Sequence, residues 1–241
     1  MEKLFSVIYE DNHLLIVSKQ PGVLVQGDKT KDTPLVDLCK NYIKEKYNKP
    51  GEVFLGLVHR LDRPVSGLVV MARTSKALER MNKLFKDRKV KKTYWAIVKK
   101  KPEKKQDKLV HWLKKDATKN ITTAYSYPED HAQKAELNYK LLGKLNDHYL
   151  LEVNPATGRP HQIRVQLASM GCPIRGDVKY GFAKPNPKGD INLHARQLEF
   201  IHPVKKEPLV VQAGFPNNQF WEQFLTLDSV RINDKKIKYI H

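Results

Sequence analysis

Nine consecutive residues, His59-Arg60-Leu61-Asp62-Arg63-Pro64-Val65-Ser66-Gly67, set one carboxylate between two guanidinium side chains just before the apolar run Leu68-Val69-Val70-Met71-Ala72. A cation within a few ångströms lowers an Asp pKa by roughly 1 to 3 units, so Asp62 is expected to be ionised. An ionised carboxylate can act as a nucleophile or a base. Taken alone, the same Asp-Arg neighbourhood also describes an ordinary surface turn, so the rest of the chain has to separate the two readings.

Short β-rich runs, Phe5 to Tyr9 and Leu14 to Val17, open the chain. Thr33 and Pro34 then stand at cap and first-turn positions of a helix whose apolar stripe is Leu35, Leu38, Tyr42 and Ile43. Ser75 to about Phe85 predicts a second helix, with Ala77, Leu78, Met81, Leu84 and Phe85 beneath a charged face. Tyr94 to Val98, Leu109 to Leu113, Ile121 to Tyr127, Ala135 to Leu142 and Tyr149 to Val153 read as successive strands of a mixed, mainly antiparallel sheet. Lys99 to Lys108 and Ala183 to Gly189 read as surface loops. Helical spacing places Arg164 on an amphipathic segment with Ile163, Val165 and Leu167, where an Arg is ordinarily solvated.

The nonapeptide resembles the motif of the RluA-type pseudouridine synthase family, His-Arg-Leu-Asp followed shortly by Ser-Gly, and Asp62 takes the position of that family's catalytic aspartate. Further segments are similar in the same order. They are Ile8 to Gly22 with its Pro-Gly turn, Lys92-Thr93-Tyr94-Trp95-Ala96-Ile97-Val98, Thr157 to Ala168, Gly171 to Gly181, Leu193-His194-Ala195 and Phe200-Ile201-His202-Pro203. The resemblance runs from about Val7 to about Phe224. It implies an α+β fold, a mainly antiparallel bent sheet flanked by helices and loops, as one catalytic domain over residues 1–241 with its core at about 7–224. The chain starts directly with that domain's first strands, so no small N-terminal S4-like RNA-binding domain is expected.

The implied reaction breaks the bond from uridine N1 to the sugar, turns the base and rejoins it through C5. It calls for no metal, redox cofactor or nucleotide. It needs a group that attacks or deprotonates the nucleoside, a cavity that retains the base, and a partner for the C5 proton. The resemblance assigns these tasks to Asp62, to Tyr94, which stacks on the base and serves in proton transfer, and to Arg164, which pairs with Asp62. Attack on the sugar, attack on the base and abstraction of a sugar proton all remain open for Asp62. The expected RNA-binding residues are His59, Arg60, Arg63, Lys92, Arg159, His161 and Arg175. Arg60 has two readings, filling the space of a flipped base or serving as counter-ion to Asp62.

Other readings carry less. His59 and His161 with Asp62, and His194 or His202 in reserve, match no metal-site spacing. Gly158, Gly176 and Gly181 lie among Arg159, Arg175 and Lys179, which suggests turns facing phosphates, although not a P-loop. Pro64-Val65 and Pro160 depart from the family's usual pattern, and because Pro fixes φ and removes an N–H they bear on substrate choice rather than on the reaction.

Composition points the same way. Lys plus Arg number 44 against 26 Asp plus Glu, a net charge of +18, and such a chain seeks polyanions. The densest run, Lys86 to Lys108, interleaves Tyr94 and Trp95 with eleven Lys or Arg and three acids. Charge of this kind gives affinity and salt dependence but no sequence choice. The 241 residues suffice for a core without disulfide or metal. Cys39 and Cys172, far apart, read as reduced thiols, Cys39 as core and Cys172 as a candidate neighbour of the site. The N-terminal Met1-Glu2-Lys3-Leu4-Phe5 lacks a signal peptide's apolar stretch and no apolar run nears the roughly 20 residues of a membrane span, so a soluble, cytoplasmic protein is expected; a monomer is the expectation for its oligomeric state, which the sequence leaves open. The resemblance implies ribosomal or transfer RNA as the expected partner, with no membrane and no nucleotide cofactor. Two rivals remain: an idle RNA-binding or ribosome-assembly factor, expected to lose the carboxylate, and a metal-dependent nuclease, expected to cluster acids.

Overall fold

The computed structural model describes residues 3–28, 30–216, 218–227 and 230. Met1 and Glu2, at the head of the N-terminal segment read above, and the chain beyond Val230 lie outside them. In chain order the first elements are β1 (Phe5–Glu10), β2 (Leu14–Lys19), α1 (Leu35–Lys46), β3 (Gly56–Leu57), β4 (Ser66–Ala72), α2 (Ser75–Lys86) and β5 (Lys91–Val98). There follow β6 (Gln106–Asp116), β7 (Ile121–Tyr125), β8 (Gln133–Leu145), β9 (His148–Pro155), α3 (Gln162–Ser169), β10 (Leu193–Ile201), β11 (Pro208–Gln212) and a short α4 (Gln219–Glu222). The expected α+β class with a mainly antiparallel sheet is what the chain adopts. No helix among the described residues is long and apolar enough to cross a membrane.

The chain divides into two compact units. Unit 1 takes the residues up to Lys92 with Lys188–Asp190 and Ala195–Gly214, and unit 2 takes Thr93–Pro187, Ile191–His194 and the described residues from Phe215 on.

Unit 1 orders its strands β1-β2-β4-β10, with β3 on β4 and β11 on β10. All seven residues of β4 are buried, which explains why Leu68 to Ala72 form an unbroken apolar run rather than an alternating one. Its Leu68 and Val70 join Leu14 and Ile16 of β2 and Met81 of α2 in the core. A side-chain cap of α2 is present one residue before the helix, where Thr74 Oγ1 accepts from Ala77 N at 3.1 Å. The predicted cap of α1 is not: Pro34 is the N-cap and no side chain bonds the helix start. The N–H groups of Leu35 and Val36 donate instead to the carbonyls of Leu24 and Val25, so the first turn needs no Thr33 hydroxyl.

Unit 2 orders its strands β5-β9-β8-β6-β7, with antiparallel pairing between β5 and β9, β9 and β8, β8 and β6, and β6 and β7. Trp95 and Ile97 of β5 enter a core with Leu150, Trp221 and Phe224. The loop expected to reach Lys108 ends at Lys105, because Gln106, Asp107 and Lys108 pair with Lys140, Tyr139 and Asn138 of β8. The strand expected to reach Tyr127 ends at Tyr125.

Candidate active site

In unit 1 the chain turns between β3 and β4 with Leu61 and Val65 buried on either side of Asp62. Val65 N donates to Asp62 O at 3.0 Å and closes the turn. One residue on, Arg63 O accepts from Gly22 N at 2.8 Å and from Lys19 Nζ at 3.1 Å, and Arg63 Nε returns a bond to Gly22 O at 3.0 Å. The turn is thereby strapped to the Pro21-Gly22 turn at the end of β2. Behind it, Gly67 has φ +110° and a Cβ there would stand 2.6 Å from Ala195 N, so β10 leaves room for glycine alone.

The two arginines chosen from the sequence as flanking cations point elsewhere. Arg63 Nη2 reaches Asp32 at 2.6 Å, and Arg60 Nη1 donates to Gln26 Oε1 at 3.2 Å beside an open cavity of about 410 Å³ lined also by Val36, Leu57 and Val58. A cation that does interact electrostatically with Asp62 in this unit is Lys19. Lys19 is 1 % exposed and bonds the carbonyls of Gln20 and Arg63. Burial brings its pKa down from 10.5 to about 7, with the Asp62 carboxylate opposing and the Arg63 charge adding to the fall. The sequence reading missed this residue; the available signal was a Lys at the end of a strand otherwise wholly apolar or small.

His59 is a structural acceptor here. Its ring stacks on Phe85 at 4.9 Å and its Nε2 accepts from Val70 N at 3.1 Å. Burial, then the charge of Lys92, pushes its pKa down to about 3, which keeps the accepting nitrogen unprotonated. Lys92 is itself partly buried, and burial followed by the Arg88 charge lowers its pKa.

In unit 2, Tyr94 stands opposite Val153, and Val153 opposite Tyr139. Paired residues share a sheet face and alternate residues along a strand do too, so Tyr94 lies on the face that also carries Leu137 and Ala135. Val165 of α3 packs on Ala135 and Leu113 on that face. Tyr94 and the helix bearing Arg164 therefore share one side of the sheet, whereas Trp95 fills the core on the other.

The helix corrects the amphipathic reading. Gln162 to Leu167 are all buried, and Arg164 is 5 % exposed. Its charge is met by Asp177, itself 1 % exposed, through Nε to Oδ2 at 2.7 Å and Nη2 to Oδ1 at 2.9 Å. The two parallel bonds fix the plane of the guanidinium. The Tyr180 ring lies 5.0 Å from the guanidinium carbon. Tyr180 Oη accepts from Thr122 N at 2.9 Å and shares a 2.7 Å hydrogen bond with His161 Nδ1. His161 caps α3 in the left-handed region at φ 53°. Gln162 Oε1 accepts from Thr157 Oγ1 at 2.8 Å and Arg159 N at 2.9 Å, which ties the preceding loop to the helix.

Arg159 Nε reaches Lys134 O at 3.3 Å. Arg175 donates to the Oδ1 atoms of Asn186 and Asn192 at 2.7 and 3.0 Å, under Phe220 at 3.9 Å, and holds the loop after α3. Of the residues chosen from sequence, unit 1 thus carries His59, Arg60, Asp62, Arg63 and Lys92, and unit 2 carries Tyr94, Arg159, His161, Arg164 and Arg175. Asp177 and Tyr180 lie within the Gly171 to Gly181 segment, where nothing local in the sequence signals their roles.

Residues 13–169 match the family described as RNA pseudouridylate synthase. Ribosomal large subunit pseudouridine synthase C of Vibrio cholerae is 30 % identical over 232 residues, covering 91 % of this chain and 68 % of that protein. tRNA pseudouridine synthase C of Vibrio parahaemolyticus is 32 % identical over 241 residues, covering 91 % and 93 %. Among solved structures, Human RNA Pseudouridylate Synthase Domain Containing 4 aligns with a TM-score of 0.74 at 25 % identity, covering 94 % of this chain and 93 % of that one.

Proposed function

The chain belongs to the RluA-type family of RNA pseudouridine synthases, isomerases that act on RNA, and from that premise we propose that it isomerises specific uridines of ribosomal or transfer RNA through an essential Asp62. The observation that carries the reading is Asp62 itself, in a motif inside the matched region and on a turn strapped by main-chain bonds. The reaction breaks N1–C1′, turns the base and forms C5–C1′, while C5 gives up a proton and N1 takes one. Asp62 acts on the nucleoside. Tyr94 stacks on the base and manages the proton at C5. Arg164, oriented by Asp177, pairs with the Asp62 carboxylate. No step requires a cofactor.

A base paired in folded RNA is out of reach, so the target is unpaired or flipped out at a cost of a few kcal/mol. Arg60 fills the vacated place. Its bond to Gln26 rather than to Asp62, at the edge of an open cavity, favours this over the counter-ion reading.

Pseudouridine mapping of total RNA tests the proposal in cells lacking the gene, complemented with native or Asp62→Asn protein. The native chain should restore one or a few sites and the folded variant none, a loss of at least about 10²- to 10⁴-fold. Rescue by the variant would remove Asp62 from the reaction, and no lost site would move the chain to an idle RNA-binding role.

A further inference from the structure

We propose that an open groove at the end of β5 in unit 2 is a subsite for the RNA strand flanking the target, where Lys99, Lys100 and Lys184 take phosphates and Phe182 stacks on a base; this rests on the RNA-substrate reading above. The groove measures about 510 Å³, inside the roughly 300–1,000 Å³ range of ligand clefts. The three lysines are exposed, Phe182 is partly buried between them, and Gly181, at φ +95°, leaves open space where a Cβ would stand.

The walls are preformed. Arg175 N donates to Ile97 O at 2.8 Å, Val98 bridges Ile174, and the Cys172 thiol donates to Lys100 O at 3.4 Å. Asp147 stands 3.3 Å from Lys99 Nζ with both side chains more than half exposed, and a pair so exposed is weak enough for a phosphate to displace.

The groove also divides the basic run. Lys91 is paired with Glu199, Lys104 with Asp107 and Lys108 with Glu136, and Lys92 is partly buried, whereas Lys99 and Lys100 line a cleft completed by a lysine from a distant loop. At about 3.3 Å per residue, the five residues from Tyr94 to Lys99 put the groove's edge roughly 16 Å away. A uridine at Tyr94 does not reach that far, so the occupant is a neighbour along the strand. Cations on a backbone path with an aromatic platform are how single strands are held without sequence choice.

The test is a salt titration of a fluorescent twelve-nucleotide oligouridylate against the full chain, with pseudouridine formation in cellular RNA measured on the same preparations. The Lys100→Ala/Lys184→Ala double variant should flatten the salt slope by about 1.4, at roughly 0.7 per single-strand phosphate contact. Phe182→Ala should weaken binding by about 5- to 100-fold with the slope unchanged. Native-like slope and affinity in these variants, while the native chain makes pseudouridine, would overturn the groove and leave the reaction standing. Displacement of the probe by poly-glutamate as effectively as by unlabelled RNA would assign the groove to acidic polypeptides and also overturn it. If the native chain forms no pseudouridine, the RNA reading falls and the subsite with it.

Discussion

The Asp62 turn of unit 1 hangs on a main-chain acceptor, with Arg63 O shared by Gly22 N and Lys19 Nζ, whereas Arg164 of unit 2 is buried and bonded twice, side chain to side chain, to the Asp177 carboxylate. A main-chain strap tolerates changes of side chain around it. A buried ion pair does not, because removing one partner leaves the other charge desolvated and unmet.

The largest effect expected from this contrast is at Asp177. Asp177→Ala should destabilise the chain by about 3–5 kcal/mol in chemical denaturation, and an effect near zero would mean that the guanidinium is not held as described. Gly67→Ala attacks the other side through the backbone, since a Cβ there meets the Ala195 main chain at a left-handed φ. It should cost about 3 kcal/mol, combining strain and overpacking; a neutral result would separate β4 from β10 at that point.

Lys19 sharpens the comparison through pH. Unfolded, it keeps its proton to about 10.5; folded, only to about 7. Between those values unfolding takes up a proton, so stability rises with pH across the window and this contribution is flat below it. Thermal melts of native and Lys19→Met protein at pH 7 and 10 should differ in slope, the variant lacking the native gain, while its activity falls because the turn loses a bond and Asp62 its buried cation. Equal slopes would place Lys19 in solvent. Smallest is Arg63→Ala, which removes the pair with Asp32, both side chains about half exposed, and the bond from Nε to Gly22 O; the expected loss is about 1 kcal/mol, and a loss several times larger would mean that the turn depends on that side chain more than on its carbonyl.

Much of this was legible because it is local. The stripe from Ala77 to Phe85 was enough to place α2, and alternation placed the strands of unit 2 to within a few residues of their ends. What escaped depends on partners far along the chain. Lys19 is buried by a bond to Arg63, forty-four residues away, and Arg164 is buried because Asp177 meets it after an intervening loop. The missing cap of α1 has the same cause, since Leu24 and Val25, outside the helix, accept its first N–H groups. At Asp62 the family motif was legible; the direction of its neighbouring arginines was not, because Gln26, Asp32 and Gly22 draw them away.

The strap through Arg63 O also bears on how such an enzyme could change its diet. Any amino acid at 63 supplies the carbonyl that receives Lys19 and Gly22, so positions 60 and 63 can exchange side chains, at the cost of the Arg63 Nε bond to Gly22 O, while the carboxylate at 62 stays in register. The turn behaves as a cassette, with position 62 anchored through the main chain and the side chains at 60 and 63 as interchangeable tips; under the proposed roles, the first would carry the chemistry and the second the recognition. A library randomised at 60 and 63 is a natural starting point for retargeting the enzyme to uridines in other sequence contexts.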